Sequence, residues 1–531
     1  MTEEKTIMAL DLGTSGMKVA LVTERGRILA WEAESLELIL GPHGLAEQAP
    51  DSWWAAFLTA AKRLLSRAVV PAHTICAICC STQGEGTVAI NQDGKPLMNC
   101  ILWMDMRGAA ALKRQFGGPL SVNGASLARI ARWIHLTGGM PSMTGKDPAG
   151  HMLYIRDHRP EIYEKTWKFL NVLDYLNLRL SGRCVATVDS ILTSWVSDNR
   201  DPRCIKYHDG LVRASGIEAD KLPDIVPCTE ILGPIVPELV TELSLSPGTL
   251  VVAGAIDTSA AAIGSGAVQN YAAHLYIGTS SWMAAHVPAK KTDIGCALAS
   301  VPCALPDRYL LTALQATAGG NLTFLRDNIL YHQDELLQEA AVPDIFKVID
   351  QIAARVPAGA NGLLYTPWIW GERAPVEDRL LRAGLHNLSL RNTREDIIRA
   401  FLEGIALNTR WLLQPVQRFT GQPIGPINIV GGGAQSDVWC QIFADVLGTE
   451  IRQLADPVYA NARGAAWIAA VALGALRFQD LPSLTIFKRS YQPAARAASR
   501  YNEKFAVFKD IHRRMRGIYH RLNRDQEARQ Q

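Results

Sequence analysis

No stretch of this chain is apolar for long enough to cross a bilayer, its cysteines form no paired framework, and neither sign of charge dominates. A spanning helix needs about 20 consecutive apolar residues, so no membrane partner is expected. The net charge is +3, with Lys and Arg spread along the chain, so no nucleic-acid partner is expected either. The ten cysteines are scattered singly apart from Cys76, Cys79 and Cys80, which sit in an apolar run from His73 to Cys80 that reads as a buried strand. Cys76 and Cys79 have CxxC spacing, but no second pair or nearby His completes a zinc site. The opening Met1-Thr2-Glu3-Glu4-Lys5 runs straight into a strand, without the basic start, apolar stretch and cleavage site of a secretory leader. A cytoplasmic protein with reduced thiols is expected, in which the sequon Asn321-Leu322-Thr323 has no consequence. Low-complexity segments, GxGxxG, G-x-x-x-x-G-K-[ST], H-R-D and D-F-G are also missing. Any nucleotide chemistry must therefore use a scaffold other than the Rossmann, P-loop or protein-kinase types.

What is present is an ordinary globular composition, 48% hydrophobic and 20% charged over 531 residues. That length predicts two or more domains. Thr6 to Leu12 reads as a strand, Gly13-Thr14-Ser15-Gly16 as a turn, Met17 to Val22 as the return strand, and Ile28 to Glu32 as its continuation. A like unit recurs in the second half: a strand from His274 to Ile277, the turn Gly278-Thr279-Ser280-Ser281, and a strand from Trp282 to His286. The repeat points to an internal duplication. Helices are expected over Asp157 to Lys168, Leu173 to Leu180, Thr393 to Leu413, Asp437 to Leu447 and Ala462 to Leu473. They alternate with strands such as Gly362 to Tyr365 and Ile427 to Val430. From about Ser499 the chain reads as a basic helix with aromatics, packed on the second domain.

Four segments carry candidate chemistry. In Asp11-Leu12-Gly13-Thr14-Ser15-Gly16-Met17-Lys18 an acid ends a buried strand before a turn of small residues. Concave backbone N–H groups there can wrap phosphate oxygens, and Asp11 can hold a magnesium ion through water; a plain hairpin is the other reading. Asp257 follows an apolar strand and precedes small residues that look like a helix start. It could accept the proton of an attacking hydroxyl or serve as a helix cap. In Gly431-Gly432-Gly433 the backbone could approach a flat ring closely, or form only a loose strand-to-helix turn. Ser81-Thr82-Gln83-Gly84-Glu85 and Ile101-Leu102-Trp103-Met104-Asp105-Met106-Arg107 offer amide, carboxylate and indole groups suited to a hydroxyl-rich ligand. Within them, Asp105 and Arg107 are expected to pair with each other.

In this order, and together with Pro160-Glu161-Ile162-Tyr163, Ala318-Gly319-Gly320 and Gly371-Glu372-Arg373-Ala374-Pro375, these segments resemble the FGGY carbohydrate kinases over nearly the whole chain. The resemblance implies an α/β fold of two ribonuclease-H-like (actin-like ATPase) domains around a central cleft. It implies an N-terminal domain over residues 1–249, with the sugar wall and first phosphate loop, and a C-terminal domain over 250–531. It implies ATP and Mg2+ as cofactors, with Asp11 at the metal and Asp257 as catalytic base and substrate contact. Gly13, Thr14, Ser15, Lys18, Gly278, Thr279 and Gly319 would bind phosphates, and Gly432, Gly433 and Asp437 would line the adenosine pocket. Gln83, Gly84, Glu85 and Trp103 would contact a small sugar or polyol. Xylulokinases usually carry Met-His where this chain has Gly84-Glu85, and glycerol kinases carry Arg-Glu, so Glu85 matches a polyol-binding glutamate. The expected substrate is a ketopentose, the alternatives a tetritol or other polyol, or a non-catalytic sugar sensor. The expectation leaves room for a homodimer.

Overall fold

The computed structural model describes residues 4–122, 124–330 and 344–530, and side chains up to residue 524. Residues 1–3, part of the opening read for a leader, lie outside the described residues. Strands β1 (Thr6–Gly13) and β2 (Gly16–Thr23) form the expected hairpin, closing at the Gly13–Gly16 pair. β3 (Ile28–Ser35) continues it antiparallel, and β4 (Ile75–Thr82) lies parallel to β1 on the other side. Ile231–Pro234 (β5) and Leu250–Ile256 (β6) complete a six-stranded sheet in the order β5-β6-β4-β1-β2-β3. β1 and β4 are covered on both faces, which is why they read as continuous apolar runs rather than alternating ones.

The second sheet repeats the plan. Its strands are β7 (Ala273–Ile277), β8 (Ser281–Val287), β9 (Thr292–Asp293), β10 (Leu298–Pro302), β11 (Tyr309–Gln315), β12 (Ile427–Val430), β13 (Ile451–Leu454) and β14 (Phe487–Tyr491). Their order is β9-β10-β11-β8-β7-β12-β13-β14. The run β3-β2-β1-β4-β6 in the first sheet corresponds to β11-β8-β7-β12-β13 in the second. In both, an antiparallel meander flanks a strand whose other neighbours are parallel. Strand β6 falls after the expected division at 249/250, but its hydrogen bonds are to the first sheet.

The helices that follow β6 and β13, Asp257–Gly264 and Ala460–Ala472, cross between the halves. A Cβ on Gly264 would lie 1.8 Å from the Ala460 carbonyl oxygen, and one on Gly464 would lie 1.9 Å from that of Ala260. Only glycine lets the two backbones meet so closely. The second helix packs on the first sheet and the first also touches the second sheet. The shared core is built by Ile7, Ala9, Ala261, Trp282, Ala466 and Trp467 from both halves.

The helix expected over Asp157 to Lys168 is instead two helices and a strand: Pro148–His158, Pro160–Lys165 and Lys168–Leu170. Pro160 cannot donate into a continuing helix and starts a new one. The C-terminal helix, Ala495–Gln530, buries Tyr501, Phe505, Phe508 and Tyr519 against the second domain. It is pinned by buried Glu403, which accepts from Arg399 Nε (2.9 Å), Tyr501 Oη (2.8 Å) and Lys504 Nζ (3.0 Å).

Candidate active site

Asp11 sits near the end of β1, almost fully buried. Its Oδ2 is 3.2 Å from Lys18 Nζ across the hairpin. Its Oδ1 accepts from Asn461 Nδ2 (3.2 Å), at the start of the helix that crosses from the second domain. The Asn461 Oδ1 is buried and has no hydrogen-bond partner among the described residues. A carboxylate beside an unpartnered amide oxygen fits a hydrated magnesium ion, a hard cation that keeps several waters and needs few protein ligands. It does not make a closed protein cage, and among the described residues no group of three or more His, Cys, Asp or Glu could hold a metal. Ser15 is exposed at the tip of the turn and Lys18 is partly so.

Thr14 links this turn to the proposed sugar wall. Its Oγ1 donates to Gln83 Oε1 (2.8 Å) and accepts from Trp103 Nε1 (3.1 Å), while its carbonyl accepts from Gln48 Nε2 (2.7 Å). Gln83 Nε2 donates in turn to Gln48 Oε1 (3.2 Å). The amide of Gln83 and the indole N–H of Trp103 are thus engaged by protein, and they fix the wall rather than stand free. Asp105 and Arg107 pair as expected, at 2.8 Å, and Arg107 also reaches Glu47.

Glu85 is held at φ +63°, a left-handed conformation that costs a non-glycine residue about 1 kcal/mol or more. Burial raises its pKa, against the fields of Arg373 and Lys146. Two neighbours join it that the motif reading had not singled out. Asp147 is buried and raised to about 7, first by burial and then by Glu85. Lys146 is lowered to about 8 by burial and by Arg379 and Arg373. Both follow the Pro141–Gly145 loop, ahead of the helix that Pro148 opens. Charged residues wedged between a loop and a helix start were the available signal.

Asp257 is the first residue of the helix Asp257–Gly264; the cap position is Ile256, and no side chain caps it. The capping alternative is therefore not the role the structure gives it. Its pKa is raised to about 7, first by burial and then by Asp11, with the Thr258 N–H opposing and Glu85 and Asp189 adding. Asp189, also missed in the sequence, is buried and accepts from Thr187 Oγ1 (2.6 Å), Cys228 Sγ (3.3 Å) and the Ile256 N–H (3.1 Å). It braces the elbow that carries Asp257.

On the other side, the second hairpin turn interlocks with the helix Gly319–Leu325. The Ala318, Gly319 and Gly320 N–H groups donate to the carbonyls of Thr279 (2.8 Å), Gly278 (2.8 Å) and Thr279 (3.0 Å). The Thr279 side chain is exposed. After β12, Gly431 has φ +89°, and a Cβ there would lie 2.6 Å from the Ile277 carbonyl oxygen. This strand-to-helix turn is tight, not loose, and it leaves Gly432 exposed with open space around it. Asp437 opens the next helix, where its Oδ1 accepts from Lys488 Nζ (2.6 Å) and Gln453 Nε2 (3.0 Å).

Two carboxylates carried by one sheet, Asp11 near the end of β1 and Asp257 just after β6, thus lie close enough for the first to raise the pKa of the second. Models of the FGGY family of carbohydrate kinases match residues 6–264 (N-terminal domain) and 273–473 (C-terminal domain). The chain belongs to the FGGY family of carbohydrate kinases. This FGGY kinase is 27% identical to a xylulose kinase of Bacillus subtilis over 96% of its own length and 97% of the relative's. It is 26% identical to a gluconokinase of the same organism, over 97% and 96%. The ligand-bound xylulose kinase structure from Lactobacillus acidophilus superposes with a TM-score of 0.83 at 23% identity, covering 98% of this chain and 100% of that one. The FGGY kinase has the two-domain actin-like ATPase fold and is a phosphotransferase acting on a sugar-type substrate, and the family implies ATP as donor. Among the described residues, no helix is long and apolar enough to cross a membrane.

Proposed function

We propose that this protein transfers the γ-phosphoryl group of ATP to a hydroxyl of a ketopentose such as xylulose, in the cytoplasm, with Asp257 as the base. The observation that carries the reading is a buried carboxylate at the strand-to-helix junction after β6, raised to about 7 by burial and by Asp11. A general base works best with a pKa near the working pH. Burial and the negative field of Asp11 give Asp257 that pKa, so it can take the proton of an acceptor hydroxyl as the oxygen attacks. Bound MgATP supplies the phosphoryl group and the charge that neutralises its oxygens. Asp11 and Asn461 would hold the hydrated ion. Thr14, Ser15, Lys18, Gly278, Thr279 and Gly319 would border the phosphates, and Gly432, Gly433 and Asp437 the adenosine. Gln83, Gly84, Glu85 and Trp103 would form the acceptor wall.

One observation favours a polyol instead. Glu85 occupies the wall in a strained conformation with Asp147 beside it, a pair of acceptors suited to successive hydroxyls. ADP release across D-xylulose, other ketoses, glycerol, tetritols and D-gluconate decides between the readings. The ketopentose reading expects the highest kcat/KM on D-xylulose, and a higher value on a polyol or an aldonate overturns it. A sugar sensor would bind an acceptor in calorimetry and release no ADP with any of them. Light scattering tests the homodimer.

A further inference from the structure

We propose that the C-terminal helix belongs to the acceptor-binding machinery: through Asp378 it sets the loop of residues 371–380 so that Arg373 reaches an oxygen of the sugar from the second domain. The inference rests on the kinase reading above and adds a binding residue and its positioning residues.

The loop is tied at both ends. Glu372 and Asp378 exchange backbone hydrogen bonds, each 2.9 Å. Gly371, at φ +73°, brings the chain so close to Arg379 that a Cβ would lie 2.6 Å from the Arg379 Cα. The buried Glu372 carboxylate accepts from the Ala316 and Arg373 N–H groups (2.8 Å each) and from Asn408 Nδ2 (2.5 Å). The other tie comes from the C-terminal helix. Arg516 Nε lies 3.0 Å from Asp378 Oδ2, His520 Nε2 lies 2.8 and 3.0 Å from its two oxygens, and Asn523 Nδ2 donates to the Leu380 carbonyl (3.0 Å). Arg379 Nη1 reaches across to Met106 Sδ in the first domain (3.9 Å).

Between these ties Arg373 is exposed, and its guanidinium has no hydrogen-bond partner among the described residues. The Arg379–Met106 contact brings the same loop against the first domain beside the Trp103–Arg107 stretch, and the field of Arg373 acts on Glu85, Asp147 and Lys146, lowering the pKa of each. A planar five-donor cation with no hydrogen-bond partner among the described residues, exposed on a loop fixed at both ends, suits a hydroxyl or carbonyl oxygen of a sugar. The helix supplies its fixed geometry, since a misplacement of about 1 Å costs roughly 10²-fold in a positioned site.

The test is steady-state kinetics of the full chain with ATP and D-xylulose, glycerol or D-gluconate, whichever wild type uses best. Arg373→Ala is expected to raise the acceptor KM about tenfold or more, the worth of a charged hydrogen bond, with the ATP KM within about twofold. The double variant Arg516→Ala/His520→Ala is expected to raise the acceptor KM severalfold, and Arg516→Lys/His520→Gln to restore it. Asp378→Asn should follow the double variant if the latter fails to fold. An unchanged acceptor KM in Arg373→Ala overturns the proposal. So does an ATP KM that rises in proportion, or helix variants that fold and leave the acceptor KM alone. Wild type that turns over none of the wider panel of ketoses, glycerol, tetritols and D-gluconate breaks the kinase reading itself, and this inference with it.

Discussion

Asp257 should make activity and stability pull in opposite directions. Its carboxyl is raised from 3.8 to about 7 by burial, Asp11, Glu85 and Asp189. As a base it must be ionised. That predicts kcat/KM falling about tenfold between pH 8 and pH 6, since the ionised share drops from about nine-tenths to about one-tenth. Asp257→Asn removes the base and should cost about 10²–10⁴ in kcat. The stability effect has the other sign. A folded pKa above the unfolded one means that the folded state favours the protonated acid. No penalty exists below the unfolded value, and one grows as pH rises through the window up to about 7. A shift of about 3 units corresponds to at most about 4 kcal/mol at pH 8. Asparagine mimics the neutral acid, so Asp257→Asn should melt a few degrees higher than wild type at pH 8 and lose that advantage near pH 4. Paired turnover and thermal-melt series across pH make the check. Retention of more than a tenth of wild-type kcat in Asp257→Asn, or a melting difference that ignores pH, would refute the reasoning.

Glu85→Gly should relieve a left-handed backbone, gaining up to about 1 kcal/mol in urea unfolding, while raising the acceptor KM. Gly264→Ala drives a Cβ to 1.8 Å from the Ala460 carbonyl oxygen and should lose about 1–3 kcal/mol, read from the same unfolding curves. Lys504→Ala strips the buried Glu403 of one of its cations and should cost about 3 kcal/mol, with earlier proteolysis of the C-terminal helix as the second readout.

Much of this was legible because the hairpins are local. Thr6 to Val22 and His274 to His286 carry strand, small-residue turn and strand within a short span, and the repeat of that unit anticipated the duplicated sheets. Asp257 was legible as an acid between an apolar strand and a helix, and Asp437–Leu447 as a periodic helix with a serine ahead of it. Lys146, Asp147 and Asp189 were not, because their significance comes from neighbours far away in the chain. Glu85, Asp147 and Arg373 come within reach of one another's charge only once the chain has folded, and no periodicity announces it. Gln83 and Trp103 were expected by type to contact a sugar, yet only their bonds to Thr14 and Gln48 show that their polar atoms are used internally. The helix expected over 157–168 breaks at Pro160 and gives way after Lys165 to the strand Lys168–Leu170.

The most direct test of the central claim is product analysis by ³¹P NMR alongside ADP release, with and without an acceptor sugar. The account predicts negligible ADP release from ATP alone and one sugar phosphate formed per ADP once the acceptor is added, both abolished together in Asp257→Ala. ADP release that needs no acceptor, or that persists without a phosphorylated sugar, would contradict it.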